Sequence, residues 1–257
     1  MAGGAIEFRD VVTYATPSPV TSGEGVAVSA GISLKLQAGT TTALLGRSGS
    51  GKTTLLRTVN RLVRPVSGQV IVNGRDVGGS ELIPLRRRIG YVIQETGLYP
   101  HMSIERNVAM PLELAGKSPE ERKARARELL GSVGLEPERF AERMPWQLSG
   151  GERQRAGVAR ALALDPSILL MDEPFGALDP LTRAEMQTML RDLLARLKVT
   201  ALIVTHDLQE AIFLAHRVVL LERGSVAADL PSHAVLESEI AAVREYVHAV
   251  RRFEVAG

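Results

Sequence analysis

Thr40-Thr41-Thr42-Ala43-Leu44-Leu45-Gly46-Arg47-Ser48-Gly49-Ser50-Gly51-Lys52-Thr53 is the stretch on which the reading of this chain turns. Thr40 to Leu45 reads as a short strand, and from Thr53 onward Leu55, Leu56, Val59, Leu62 and Val63 recur at helical spacing. Between strand and helix, Gly46–Thr53 fits the pattern G-x-x-x-x-G-K-[ST]. That spacing suits phosphate because successive backbone N–H groups turn inward around its oxygens, and glycines allow the close approach. Lys52 would reach the β and γ phosphates, and the Thr53 hydroxyl would take one position on Mg²⁺. The helix that starts here presents the positive end of its dipole to the anion. A plain flexible glycine loop would not require an apolar strand before it and an amphipathic helix after it.

A second strand ends in acid. Ser167-Ile168-Leu169-Leu170-Met171-Asp172-Glu173 runs from apolar residues into two carboxylates, and in open α/β sheets ligands sit at the carboxyl ends of strands. Asp172 would hold Mg²⁺ directly or through water, and Glu173 would polarise the water that attacks the γ phosphate. His206 follows Ala201-Leu202-Ile203-Val204 in the same manner, at the edge that faces the nucleotide. Acidic residues after a strand are common, so this pair gains its meaning from the phosphate loop upstream.

The third stretch is Leu148-Ser149-Gly150-Gly151-Glu152-Arg153-Gln154. Ser149 and Glu152 make a capping box for a helix carrying Val158 and Leu162. A capping box does not need two glycines behind its serine, and glycine there weakens the helix. Bare N–H groups at a helix start suit a phosphate, which makes a second anion site in one chain. A head-to-tail pair of chains, each closing the other's phosphate loop, would use both.

Composition narrows the classes. The 257 residues are 45% hydrophobic and 23% charged, as in ordinary globular material. A net charge of +2, from 31 basic and 29 acidic residues, gives no nucleic-acid footprint. There is no cysteine, which excludes a disulfide framework and thiolate metal sites. Met1 to Asp10 shows no signal-peptide pattern, and no apolar run approaches the roughly 20 residues of a spanning helix. Work at a membrane would require a separate anchor.

The chain is expected to hold an α/β core contributed by residues 1–94 and 161–233, a helical lobe at 95–160 and a short helical tail at 234–257. Continuous apolar runs at 168–171, 200–204 and 218–221 predict strands buried on both faces, hence a parallel sheet. Asn73-Gly74 predicts a tight hairpin turn, and Ala15 to Gly25 a loop. Ser118-Pro119-Glu120-Glu121 predicts a capped helix start in the lobe.

Taken together, the phosphate loop, Gln94 after Ile89 to Ile93, LSGGERQ, LLMDEP, Ala177-Leu178-Asp179 and Thr205-His206-Asp207 resemble the ABC ATPase family over nearly the whole chain. The resemblance implies a P-loop NTPase core with a mostly parallel sheet, an N-terminal antiparallel β part and an inserted α-helical subdomain. It implies ATP and Mg²⁺, with Gly46, Arg47, Ser48, Gly49, Ser50, Gly51, Lys52, Thr53 and Thr54 around the nucleotide and Tyr14 stacked on adenine. Gln94 would sense Mg²⁺ and the γ phosphate, and His206 would contact that phosphate. Ser149, Gly150, Gly151 and Glu152 would act on the partner's nucleotide, with Asp179 at the seam of a homodimer. Glu152 stands where the signature often has Gln, and the Ala15 to Gly25 loop is longer than the family's habit.

Arg88 to Met102 and Met171 to Arg183 resemble the ATPases of bacterial quaternary-amine importers, those of glycine betaine, choline and carnitine. Pro145-Trp146-Gln147 resembles the importer pattern rather than an exporter's. The resemblance therefore implies a peripheral subunit on the cytoplasmic face of the plasma membrane, driving permease subunits that serve a solute-binding protein. Gly97 to Met102 would receive the permease's coupling helix. The alternatives are an importer of amino acids, phosphonates or sulfonates, an exporter, or a non-transport ATPase acting on DNA or ribosomes. The stretch as it stands has no room for the paired C-terminal nucleotide-sensing modules of many osmoprotectant ATPases.

Overall fold

The computed structural model of this chain describes residues 4–14, 27–94 and 96–255. They form two compact units, one built from Gly4–Leu82 and Leu202–Gly257, the other from Ile83–Ala201. The predicted loop at 15–25 lies outside the described residues.

The first unit opens with β1 (Ile6–Tyr14) and β2 (Ala27–Leu36), followed by β3 (Thr41–Leu45), α1 (Lys52–Val59), β4 (Ser67–Val72) and β5 (Arg75–Asp76). Strands β2, β1, β4 and β5 lie side by side in that order, antiparallel throughout. Ile6, Phe8 and Val11 of β1 are buried while Arg9 is exposed, the alternation of a sheet with one covered face. Asn73 and Gly74 take positive φ of 52° and 75° between paired Val72 and Arg75, which makes the predicted two-residue hairpin. Helix α1 stops at Val59, short of the apolar run that predicted turns through Val63. Arg61 turns left-handed at φ 53°, and Leu62 is left 51% exposed.

The same unit receives β8 (Thr200–Thr205) from Leu202 onward, α8 (Leu208–Leu214), β9 (Arg217–Glu222), β10 (Ser225–Pro231) and α9 (Ala241–Val255). Strands β10, β9, β3 and β8 are neighbours in that order. β3 and β9 run parallel, with Thr42 opposite Arg217 and Leu45 opposite Leu220, and β10 folds back antiparallel at the edge. Every residue of β3 and β8 is buried, as the continuous run at 200–204 predicted for β8. The tail is one helix of 15 residues, α9. Its Val243 and Val247 pack with Leu208 and Ala211 of α8 and with Leu45, Val218 and Leu220 of the sheet. Each buried valine stabilises that seat by about 1.5–3 kcal/mol.

The second unit holds α2 (Leu82–Arg87) from Ile83 onward, β6 (Ile89–Val92), α3 (Ile104–Leu114), α4 (Pro119–Ser132), α5 (Pro137–Phe140), α6 (Gly150–Ala161), β7 (Ile168–Asp172) and α7 (Pro180–Leu197). β6 and β7 pair in parallel, Ile89 opposite Ile168 and Val92 opposite Met171. The helices α3, α4 and α6 pack on one another around Ile104, Val108, Leu129, Leu130 and Val158, all essentially inaccessible. The predicted start of α4 is a full capping box. The Glu121 amide donates to Ser118 Oγ at 3.2 Å and the Ser118 amide to Glu121 Oε2 at 3.0 Å, with Pro119 in the first turn.

Candidate nucleotide site and signature helix

In the first unit, β3 delivers the chain to the phosphate loop and α1 carries it away. Gly46 must be glycine: a Cβ there would lie 2.3 Å from the Leu221 carbonyl oxygen of β9. Gly51 caps α1 in the left-handed region, φ 96°, and brings no side-chain cap to the helix start. Lys52 is buried, 5% exposed, and its ammonium donates to the carbonyls of Gly46 at 2.7 Å and Arg47 at 2.8 Å. Ser50 Oγ is buried and makes no hydrogen bond. A buried cation and an unpaired hydroxyl beside a helix start are donors that suit a chain of phosphates. Arg47, Ser48 and Gly49 are exposed, Thr53 and Thr54 half-buried. A cleft of about 240 Å³ opens beside the loop, bounded also by Glu222, Glu245 and Tyr246.

His206 stands exposed at the end of β8, and the next residue, Asp207, caps α8 by accepting from the Glu210 amide at 3.1 Å. Tyr14 is the last residue of β1 and is 43% exposed.

In the second unit, β7 ends where the sequence said it would. Asp172 is 2% exposed, and its Oδ2 accepts from the Tyr91 hydroxyl at 3.3 Å. Glu173 is half-buried and sits at φ 45°, left-handed backbone that a glutamate adopts only at a cost. Gln94 is exposed in the turn after β6. Gln94 and Asp172 offer amide and carboxylate oxygens in this unit, as Thr53 offers a hydroxyl in the first, each a hard donor of the kind that Mg²⁺ takes.

Ser149 caps α6, its Oγ accepting from the Glu152 amide at 3.2 Å, while Glu152 Oε2 accepts from the Ser149 amide at 2.7 Å. Packing adds a reason for Gly151 that phosphate approach did not supply. A Cβ there would fall 2.4 Å from Thr182 Cγ2 of α7. Asp179 caps α7 through the Thr182 amide at 3.1 Å and is exposed. The Thr182 hydroxyl and amide hold its carboxyl below the ordinary aspartate range.

Four residues of these surroundings escaped the sequence reading. Tyr91 reaches Asp172 and Tyr246 reaches the His206 carbonyl, at sequence separations of 81 and 40, where no periodicity applies. Asn107 is fully buried in α3 and holds the segment 99–103. Its Oδ1 accepts from the Tyr99 amide at 2.7 Å, and its Nδ2 donates to the carbonyls of Tyr99, Met102 and Ser103. The one available signal was a polar residue beside Val108 on an apolar helix face. Arg160, near the far end of α6, donates to the carbonyls of Thr96 and Gly97 at 2.6 Å each, and its burial pushes the guanidinium pKa down.

A strand, a glycine loop closed by a buried lysine, and a helix starting at that lysine define a P-loop nucleotide-binding protein. Residues 29–176 match the ABC transporter family. The choline transport ATP-binding protein OpuBA of Bacillus subtilis is 46% identical over 195 residues, 76% of this chain and 51% of that one. The sulfate/thiosulfate import ATP-binding protein CysA of Mycobacterium bovis is 45% identical over 213 residues, 80% of this chain and 60% of that one. Among solved structures, the dimeric post-hydrolysis state of the ATP-binding cassette MJ0796 with ADP and Pi superposes with a TM-score of 0.77. It is 33% identical and covers 88% of this chain and 98% of that one. The chain belongs to the ABC transporter family. It spans about half the length of the first of these relatives.

Proposed function

We propose that this chain binds and hydrolyses ATP to drive import through separate membrane subunits, with a quaternary amine as the solute. The observation that carries the ATPase reading is the loop closed on Lys52. Its two carbonyl partners hold the ammonium at the loop beside the unpaired Ser50 hydroxyl, an arrangement that an anion can take over. Lys52 would exchange those carbonyls for β and γ phosphate oxygens, and Tyr14 would stack on the adenine. Thr53, Gln94 and Asp172 would hold Mg²⁺, which when bound neutralises charge on the phosphates. Glu173 would accept the proton of the attacking water, held towards it by its left-handed backbone, and His206 would contact the γ phosphate. Ser149, Gly150, Gly151 and Glu152 would act on the nucleotide of a second, identical chain, with Asp179 at the seam.

Import is supported by the names of the relatives, which include transport ATP-binding proteins for choline and for glycine betaine, carnitine and choline. The 45% identical sulfate/thiosulfate relative favours a second reading of the solute, an oxyanion. Among the described residues no helix is long and apolar enough to cross a membrane. A permease would therefore hold the chain, on the cytoplasmic face, at the loop 97–102 pinned by Asn107. The 95–160 lobe would move with that permease, and a solute-binding protein would deliver the solute.

The test is Glu173→Gln with MgATP. Turnover should fall about a hundred- to ten-thousandfold, while gel filtration with light scattering shows a stable dimer that the nucleotide-free chain does not form. Hydrolysis at the unchanged rate would remove Glu173 from its role.

A further inference from the structure

Helix α9 carries none of the sequence motifs, yet two consecutive residues on it reach the nucleotide side of the first unit. The Glu245 carboxylate pairs with the guanidinium of Arg47 in the phosphate loop at 2.9 Å. The Tyr246 hydroxyl donates to the backbone carbonyl of His206 at 2.7 Å. The helix is not loosely placed. Val243 and Val247 are buried in the core over α8, and Tyr246 and Val250 pack against the same cluster, so positions 243, 246, 247 and 250 form one inward face.

That hydrogen bond meets the chain at a junction. His206 lies between the last residue of β8 and the cap of α8, where the Asp207 amide donates to Thr205 Oγ1 at 2.9 Å and Asp207 accepts from Glu210. Strand and helix are each fixed by their own ladders, and the His206 carbonyl in the turn between them is fixed from outside by Tyr246. Burial first, then the Asp207 charge, pushes the phenol up to about 12 against the opposing pull of Arg47. Tyr246 therefore remains a donor throughout the neutral range.

We propose that Tyr246 is a positioning residue for ATP hydrolysis: its hydroxyl fixes the His206 peptide and thereby the direction in which the imidazole meets the γ phosphate. This rests on the reading that His206 contacts that phosphate. The aromatic ring supplies the packing and the hydroxyl the positioning, so Tyr246→Phe separates the two.

The experiment measures MgATP turnover and thermal unfolding of the full chain as wild type, Tyr246→Phe, His206→Ala, the double variant, and Val243→Ala as a packing control. Tyr246→Phe should lower kcat about three- to tenfold, the rate equivalent of one hydrogen bond, with KM for ATP unchanged and Tm lowered by no more than the few degrees that one hydrogen bond accounts for. His206→Ala should lower it further, and the double variant should match His206→Ala alone. Wild-type turnover in Tyr246→Phe beside an impaired His206→Ala overturns the inference and leaves the role of His206 standing. Wild-type turnover in His206→Ala removes that role and the inference with it. A Tyr246→Phe loss that multiplies onto His206→Ala places the effect elsewhere. A loss accompanied by the same fall in Tm and in kcat as Val243→Ala assigns it to helix docking. Either of these two results also overturns the inference.

Discussion

Lys52 is the residue whose burial says most. A nearly inaccessible ammonium needs compensation, and the loop supplies it from its own Gly46 and Arg47 carbonyls. Nucleotide binding is then an exchange of partners rather than the filling of a void. Lys52→Ala should raise the Kd for MgATP about ten- to a hundredfold, the worth of the charge-assisted bonds lost. Titration of a fluorescent ATP analogue would show it; an unchanged Kd would place the phosphates elsewhere. At this scale the sequence was informative where chemistry is local. Eight contiguous residues specify the loop, and two carboxylates at a strand end specify Asp172 and Glu173. Tyr91, Tyr246 and Arg160 act through contacts that close only when distant segments fold together, and a single sequence carries no trace of those pairings.

At the scale of elements, capping and turn chemistry were legible because they too are local. The α4 start shows what such a signal is worth. Ser118→Ala removes the acceptor for the Glu121 amide and should destabilise the chain by about 1 kcal/mol, read as a shift of the urea midpoint at constant slope. The reciprocal half of the box adds a pH dependence. The Ser118 amide first, then Lys117, hold the Glu121 carboxyl below its ordinary value. A depressed folded pKa stabilises above the unfolded pKa, and that share fades as pH falls through the folded one. The advantage of wild type over Glu121→Gln should therefore narrow in acid, whereas Ser118→Ala, which keeps the backbone amide, should retain the pH dependence. The end of α1 was misread for a related reason. Leu62 and Val63 keep helical spacing, but periodicity does not register a left-handed residue such as Arg61, which ends the helix whatever follows. Gly151 was read through phosphate chemistry alone, because the approach of Thr182 from α7 is visible only in three dimensions.

For the whole molecule, the proposed function requires a membrane partner that receives the energy of ATP. Asn107 gives a way to test this. Its side chain holds the 99–103 segment by four hydrogen bonds and takes no part in the phosphate loop. Asn107→Ala should release that segment, so that tagged chain captured from detergent-solubilised native membranes loses its multi-spanning permease while retaining ATP binding. Equal recovery of permease would move the docking surface elsewhere; ribosomal or DNA-repair proteins in place of any permease would end the transport reading. The cap at Ser149 and the anchor at Arg160 lie on one uninterrupted helix, α6, whose 12 residues span about 18 Å. A helix stretches little over that length, so an axial push on the Thr96–Gly97 backbone at one end would be carried to the serine at the other along the backbone itself.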